Sequence, residues 1–422
     1  MLWKDLNNKR IGIWGMGKEG LSAKQAILKY TSPSSITEII EENMNDIFGC
    51  DIVIKSPGVS LYRPEIVQAQ QNGILITSST NLFFANKNPK ATIIAVTGTK
   101  GKSTTSSLLA HTLSILGKKT VLGGNIGVPL VDLLDTEADY IIAELSSYQC
   151  ADFIGNPDIG ILVNLYPEHL PWHGSHDKYY QDKLNMISSA NTQILNALDK
   201  RTHSYTNSNN RFKNIVYFNK DIHSDGIYFY DKDEELFPCS SLNLVGEHNQ
   251  KNACAVLTVV KQLGLDLKAC EKAFKTFQAL PHRLQNIGHK NGLTFVDDSI
   301  STTPETAIAA LNAIGHTHPI TLIAGGQDRG QDFTDLINYV KNHPTVQLIT
   351  LPDTGSKIAE LAHKNVLTIY ACETMTEAVH KAIEITPVGG RVLLSPAAPS
   401  YNRYKNFEER GADFKQSIEH YK

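Results

Sequence analysis

The stretch ATIIAVTGTKGKSTTSSLL, residues 91–109, constrains the fold of this chain more than any other. Ala91 to Val96 is a short apolar run rich in β-branched residues, the pattern of a strand buried on both faces. Glycines at 98 and 101 interrupt it, and a hydroxyl-rich helical segment leaves from Ser103. Strand, glycine loop and helix in this order belong to a parallel α/β sheet. The loop brings backbone N–H groups together, and the helix aims its positive end at whatever sits there, so the element is a cradle for phosphate. It is two residues shorter than GxxxxGK[ST], which would need glycine in place of Val96. Gly98, Thr99, Lys100, Gly101, Lys102, Ser103 and Thr104 are the expected ATP loop, with Lys102 as a point charge on phosphate and Ser103 or Thr104 as a Mg²⁺ ligand. The alternative is a plain glycine turn between strand and helix.

At 422 residues the chain needs two or three cores. Alternating strand and helix patterns divide it into three α/β units, expected at 1–88, 89–285 and 286–422. The first has strands at 9–14, 51–55 and 73–76, and the loop GMGKEG (15–20) leads into a helix at 21–29. The second has strands at 93–97, 120–122, 140–144 and 159–164, a loop-like polar stretch at 200–213, a small antiparallel patch from 216–218 and 226–230, and a helix at 249–263. The third has strands at 294–297, 320–324, 347–351, 367–371 and 391–394, with Pro304 at a helix start. The expected architecture is a Rossmann-like N-terminal unit, a P-loop ATPase-like centre and a Rossmann-like C-terminal unit.

Forty Lys and Arg against 43 Asp and Glu give a net charge of −3, with no basic concentration to suit a nucleic acid. No apolar run reaches membrane-spanning length, and the opening residues lack the apolar run of a secretion signal. The six scattered cysteines form no CxxC pair and read as reduced thiols. A cytoplasmic protein without nucleic-acid or membrane partners is expected.

Glu144 ends a strand in AELSSY (143–148), where a carboxylate can meet a metal at the crevice; a surface glutamate is the alternative. EHLPWHGSH (168–176) holds three histidines, which raises zinc. It lacks a cysteine partner, and Pro171 and Gly174 break the helix that would align His169, His173 and His176. His169, just beyond the strand, is the best placed as a ligand to a second Mg²⁺. GMGKEG taken alone suggests NAD, but no ribose-binding acid follows about 20 residues on.

Together these motifs resemble, in order and over nearly the whole chain, those of the Mur ligase family: GTKGKST (98–104), GGNIGVP (123–129), ELSSYQ (144–149), Asn164 with Glu168 and His169, GEHNQKN (246–252) and LPHR (280–283). LSPAAPS (394–400) and KNFEERG (405–411) are similar in particular to members that add glutamate to UDP-N-acetylmuramoyl-L-alanine in peptidoglycan precursor synthesis. The resemblance implies a three-domain ligase, UDP-binding domain first. It would pass the γ-phosphate of ATP to a substrate carboxylate and let an amine attack the acyl phosphate, with Mg²⁺ and Lys102 offsetting phosphate charge. It implies catalytic roles for Lys102, Glu144, His169 and Lys183. Ser103, Glu144, His169 and Lys183, the last as a carbamate, would hold metal; an ordinary surface lysine is the alternative for Lys183. Asn249, Asn252 and Arg283 would meet the nucleotide and Asp298 its ribose. Gly17, Lys18, Glu19, Ser56, Gly58, Asn81 and Asn125 would meet the UDP substrate, and Thr302, Arg329, Ser400 and Phe407 the glutamate.

Two positions depart from the pattern. Ile300 stands where the glutamate-adding members usually have lysine, and Arg329 where many have lysine. An arginine fork still suits a carboxylate. D-glutamate is the commoner substrate and is placed first. A group that adds L-glutamate, similar around residues 17–20 and 298–300, is the alternative. A folylpolyglutamate synthase-like ligase shares the loop but lacks a GxGxxG unit ahead of it. A regulatory P-loop ATPase would not require Lys183, or Ser400 with Phe407. A non-catalytic nucleotide-binding module would not require Lys102, Glu144 and His169. A monomer is expected, with hinge closure bringing substrates together.

Overall fold

The computed structural model describes residues 1–422 apart from 167, 169, 207–208, 245, 279–280, 316, 366–367 and 422. The described residues build three sheets. The first is parallel throughout, in the order β2-β1-β3-β4, from β1 (Arg10–Trp14), β2 (Ser35–Ile39), β3 (Ile52–Lys55) and β4 (Leu75–Thr77). β3 is buried along its whole length: Ile52, Val53 and Ile54 form its apolar run, and Lys55 at its end lies 3.5 Å from the buried Asp152 carboxylate. β2 is absent from the sequence expectation. It is an edge strand whose Ser35 and Glu38 face solvent, so it carries no continuous apolar signal.

The second sheet has nine strands: β5 (Thr92–Thr97), β6 (Thr120–Gly124), β7 (Tyr140–Glu144), β8 (Ile159–Leu162), β9 (Thr192–Asn196), β10 (Ile215–Phe218), β11 (Ile222–Ser224), β12 (Tyr228–Asp231) and β13 (Glu234–Pro238). Their order is β13-β12-β11-β10-β9-β8-β5-β7-β6, which puts β5 between β7 and β8. Two expectations are corrected here. β10 is not part of an antiparallel patch: it pairs in parallel with β9, and antiparallel pairing begins between β11 and β12. Residues 200–213 are not all loop, since Lys200–Thr206 is helical. The Asp199 carboxylate accepts from the Thr202 backbone and hydroxyl at the start of that helix, which nucleates it in a polar sequence.

The third sheet runs β14-β15-β19-β16-β17-β18, from β14 (Gln285–Lys290), β15 (Leu293–Asp297), β16 (Ile320–Gly325), β17 (Val346–Leu351), β18 (Ile369–Ala371) and β19 (Arg391–Leu394). Only β14, at the edge, is antiparallel to its neighbour. The expected junction at 285/286 falls on the first residue of this strand. The chain forms two compact units: residues 1–243 with 248–277, which carry the first two sheets, and residues 244–247 with 278–422, which carry the third. Among the described residues no helix is long and apolar enough to cross a membrane.

Candidate active site

β5 is flanked at its C-terminal end by β7, where Val96 lies opposite Glu144, and by β8, where Thr97 lies opposite Leu162. A crevice at the carboxyl ends of adjacent parallel strands is where an open α/β sheet binds ligands. The loop from β5 turns through Gly98, at φ +156°, and a Cβ there would lie 2.9 Å from the Val163 Cβ. Gly101 precedes the helix Lys102–Ile115 with φ +79°, and a Cβ on it would meet the Asn252 side chain at 2.9 Å. Among the described residues no side chain caps this helix, and an uncapped N-terminus suits an anion. Gly98→Ala is expected to cost about 1–3 kcal/mol of stability through backbone strain, with loss of nucleotide binding. Thermal melting and a nucleotide titration check this.

Side chains distant in sequence brace the loop. The Asn164 carbonyl oxygen accepts from the Thr99 and Lys100 N–H groups at 3.1 and 2.9 Å, and its amide donates to the Lys100 carbonyl at 2.9 Å. The Thr99 hydroxyl meets the Tyr179 hydroxyl at 2.9 Å. Lys100 pairs with Glu168 at 2.5 Å. The bracing by Asn164 and Tyr179 is absent from the sequence expectation. A signal for Tyr179 exists: it lies four residues before Lys183 on the helix His176–Ser189, hence on the same face.

Two lysines converge on one carbonyl. Lys102 Nζ donates to the Gly98 oxygen at 2.9 Å and to that of Thr99 at 3.0 Å, while Lys183 Nζ donates to the Gly98 oxygen at 2.7 Å. Lys183 is fully buried, so it is no surface lysine. Burial, with the Lys102 charge second, pulls its ammonium down to about 7. Glu144 is likewise fully buried, and its reading as a surface glutamate fails. One of its oxygens accepts from the Asn125 amide at 2.7 Å; the other has no hydrogen-bond partner among the described residues. A buried carboxylate with a free oxygen beside a phosphate loop fits a hard cation, which takes oxygen ligands. His169 lies outside the described residues. The zinc reading loses His173, whose two ring nitrogens are taken by Asp182 at 2.6 Å and Ser147 at 3.0 Å.

The residues expected at the UDP substrate divide into two sets. Gly17 precedes the helix Lys18–Tyr30, again without a side-chain cap among the described residues, and Ser56 donates to the Gly15 carbonyl at 2.5 Å beside Gly58. Glu19, however, points inward: it accepts from the Ser79 hydroxyl at 2.5 Å and from the Gln149 amide at 3.4 Å, and burial raises its carboxyl. The Asn81 amide is taken up by the Asp152 carbonyl and the Ile154 N–H, both at 2.8 Å. Lys18 donates to the Gly127 carbonyl. Glu19, Asn81 and Lys18 therefore seat the first sheet against the second, and Asn125 supports Glu144. The NAD reading weakens further: Glu41, just past β2, is held by both terminal nitrogens of Arg63 at 2.7 and 2.9 Å.

Asn249 and Asn252 share the helix Glu247–Gln262, the Asn252 amide donating to Asn249 at 3.4 Å. Arg283 and Asp298 belong to the second unit. Asp298 is buried, and desolvation lifts its carboxyl to about 6 even though the Ser301 and Ser395 hydroxyls donate to it at 2.5 and 2.8 Å. Arg329 is exposed, bonded through Nε to Gln327 at 2.9 Å and lying 5.4 Å from the Tyr401 ring centre. Ser400 is buried, Thr302 half-buried, and the Phe407 carbonyl accepts from the Ser299 hydroxyl at 2.8 Å. Arg410, given no role in the sequence expectation, is buried and donates to the carbonyls of Ala398 and Ser299 at 2.9 and 2.8 Å, tying the loops after β15 and β19 together.

An uncapped helix, paired lysines and a buried carboxylate around a glycine loop, set in a chain of three α/β sheets, suit a nucleotide-binding enzyme. Two family models agree with that class: the Mur ligase middle domain matches residues 96–260, and the Mur ligase glutamate ligase domain matches residues 282–398. The chain belongs to the Mur ligase family and is an acid–amino-acid ligase. It is 36% identical to a Micromonospora protein named UDP-N-acetylmuramoyl-L-alanine--L-glutamate ligase, covering 99% of this chain and 98% of that one. Relatives of the same name from Salinispora tropica and Xanthomonas oryzae are each 35% identical, covering 99% and 97% of this chain and 99% and 94% of theirs. Among solved structures, the UDP-N-acetylmuramate-alanine ligase MurC of Thermotoga maritima superposes with a TM-score of 0.64 at 20% identity, covering 97% of this chain and 99% of that one. The MurF ligase of Thermotoga maritima in complex with ADP superposes at 0.61 and 16% identity, covering 99% and 96%. These two likenesses establish the three-domain fold.

Proposed function

We propose that this ligase joins L-glutamate to UDP-N-acetylmuramoyl-L-alanine at the expense of ATP. The observation that carries the chemistry is the convergence of Lys102 and Lys183 on the Gly98 carbonyl, next to the half-partnered carboxylate of Glu144. For the amino acid, the support is the name shared by relatives that match over nearly their full length. D-glutamate, placed first on the sequence, gives way to L-glutamate on that ground.

A substrate carboxylate has no good leaving group. Its oxygen attacks the γ-phosphorus of ATP, ADP departs, and an acyl phosphate remains. The neutral glutamate amine attacks the acyl carbon, the C–O bond to phosphate breaks with its electron pair leaving on inorganic phosphate, and the proton shed by the amide nitrogen ends on that phosphate. Lys102 holds its charge against the phosphate oxygens, where negative charge builds in the transition state. Glu144, Ser103, His169 and Lys183 as a carbamate would hold Mg²⁺, which when bound neutralises phosphate oxygens. Carbamylation suits Lys183: an amine near 7 is substantially neutral at physiological pH and adds CO₂, releasing one proton. Gly98, Thr99, Lys100, Gly101 and Thr104 complete the ATP loop. Asn249 and Asn252 of the first unit are proposed nucleotide contacts, as are Arg283 and Asp298 of the second. Gly17, Ser56 and Gly58 serve the sugar nucleotide. Arg329 and Thr302 take the side-chain carboxylate of glutamate, Ser400 and the backbone at Phe407 its α-carboxylate.

Arg329→Ala is expected to weaken glutamate use by about 2–5 kcal/mol, because it strands a carboxylate once water leaves, while hardly changing KM for ATP. The proposal itself is tested by phosphate release with UDP-N-acetylmuramoyl-L-alanine and each glutamate enantiomer in turn. Release with the L form and little with the D form is expected. Equal or greater release with D-glutamate overturns the enantiomer assignment, and release with neither, but with another amino acid, overturns the pocket.

A further inference from the structure

A buried chain of hydrogen bonds links the first sheet to the strand end that carries Glu144. Tyr62 precedes the helix Pro64–Gln71 of the first sheet's layer. Its hydroxyl points at Asp182, 2.7 Å from Oδ1 and 2.8 Å from Oδ2. Asp182 Oδ2 accepts from His173 Nδ1 at 2.6 Å. With that proton donated to an acceptor-only carboxylate, Nε2 is left to accept the Ser147 hydroxyl at 3.0 Å. Ser147 opens the helix Ser147–Ala151, three residues after Glu144. Asp182, His173 and Ser147 are each about 3% exposed, so the chain is closed to water along these three.

Asp182 adjoins Lys183 on one helix, and successive side chains there point about 100° apart. Fixing Asp182 from one side therefore fixes the rotation that presents Lys183 to the Gly98 carbonyl on the other. Ser147 does the same for the segment leaving Glu144. The neighbourhood reinforces the joint. Lys178 lies 3.5 Å from Asp182 and 5.1 Å from the Tyr62 ring centre, and Ser60 donates to the Trp172 carbonyl at 3.0 Å.

We infer that Tyr62, Asp182, His173 and Ser147 form a positioning relay for the ligase reaction: the seat of the first sheet, read through Tyr62, sets Lys183 and the Glu144 segment in their working positions. The four act through Lys183 and the Glu144 segment, as positioning residues. The inference rests on the ligase reading above. It goes further by making phosphoryl transfer depend on a hydroxyl in the layer proposed to hold the sugar nucleotide.

The ends of the relay supply the test. Tyr62→Phe and Ser147→Ala each delete one oxygen and leave the surrounding packing in place. The two residues share no direct hydrogen bond, and without a relay their effects on kcat multiply. The relay predicts that each single variant of the full-length ligase lowers kcat by about tenfold while KM for ATP stays within about twofold, and that the double variant is no worse than the poorer single one. Multiplying effects, or a silent single variant, overturn it. So does a loss that follows thermal unfolding rather than kcat. The wild-type control separates the two readings: if it fails to ligate glutamate, the proposed function falls; if it ligates and the cycle is additive, only the relay falls.

Discussion

Lys102→Ala is expected to lower kcat by at least about 10²–10³-fold in purified, folded protein, since it removes a charge aimed at the transferred phosphate. The fold should survive. Lys102 Nζ meets two backbone carbonyls of the loop, Gly98 and Thr99, and its side chain is only half-buried. The variant carries a second signature. Lys102 is the second cause that holds the Lys183 ammonium down, so Lys183 should bind its proton more tightly without it, though burial keeps the value below an ordinary lysine. Steady-state phosphate release, with a melting curve on the same sample, checks the first part. Near-normal turnover contradicts the loop assignment.

The loop was legible in sequence because its chemistry is local. Gly98, Gly101, Lys102 and Ser103 lie within six residues, and the apolar run before them could only be a buried strand. Glu144 was legible for the same reason, as the last residue of such a run. The partners were not. Asn164, Tyr179 and Asp182 act across gaps that only the sheet order closes, with β5 between β7 and β8. A local pattern gives no sign that Asn125 faces Glu144, or that Glu19 and Asn81 turn inward to seat one sheet on another. β2 and the helix Lys200–Thr206 escaped because polar residues dominate both, and their stability comes from an edge position and a capping aspartate. The amino acid's handedness is a matter of where an amine points between two anchored carboxylates, which no motif encodes.

Lys183→Ala should be the other near-complete loss, of about 10²-fold or more if the residue carries an anion to the metal site. A small carboxylic acid added to this variant should restore part of the activity, because it can occupy the space of the missing carbamate. The wild type should show a matching dependence. Stripped of dissolved CO₂ it should lose activity, and bicarbonate should restore it. Because burial and the Lys102 charge pull the Lys183 ammonium down to about 7, recovery should be efficient at pH 8 and poor at pH 6, where the protonated amine cannot add CO₂. Full activity in rigorously CO₂-free buffer contradicts the carbamate, as does a high-resolution map of the metal-loaded enzyme with an unmodified ammonium at Lys183.

The proposed reaction couples ATP cleavage to one new amide bond on a muramoyl-alanine acceptor. Its most direct test is the mass of the product formed from UDP-N-acetylmuramoyl-L-alanine, L-glutamate and ATP, with ADP counted in parallel. The expected result is an acceptor heavier by a single glutamyl residue, one ADP per product, and no ADP when the acceptor is left out. ADP formed at an undiminished rate without acceptor, or an acceptor whose mass does not change, contradicts it.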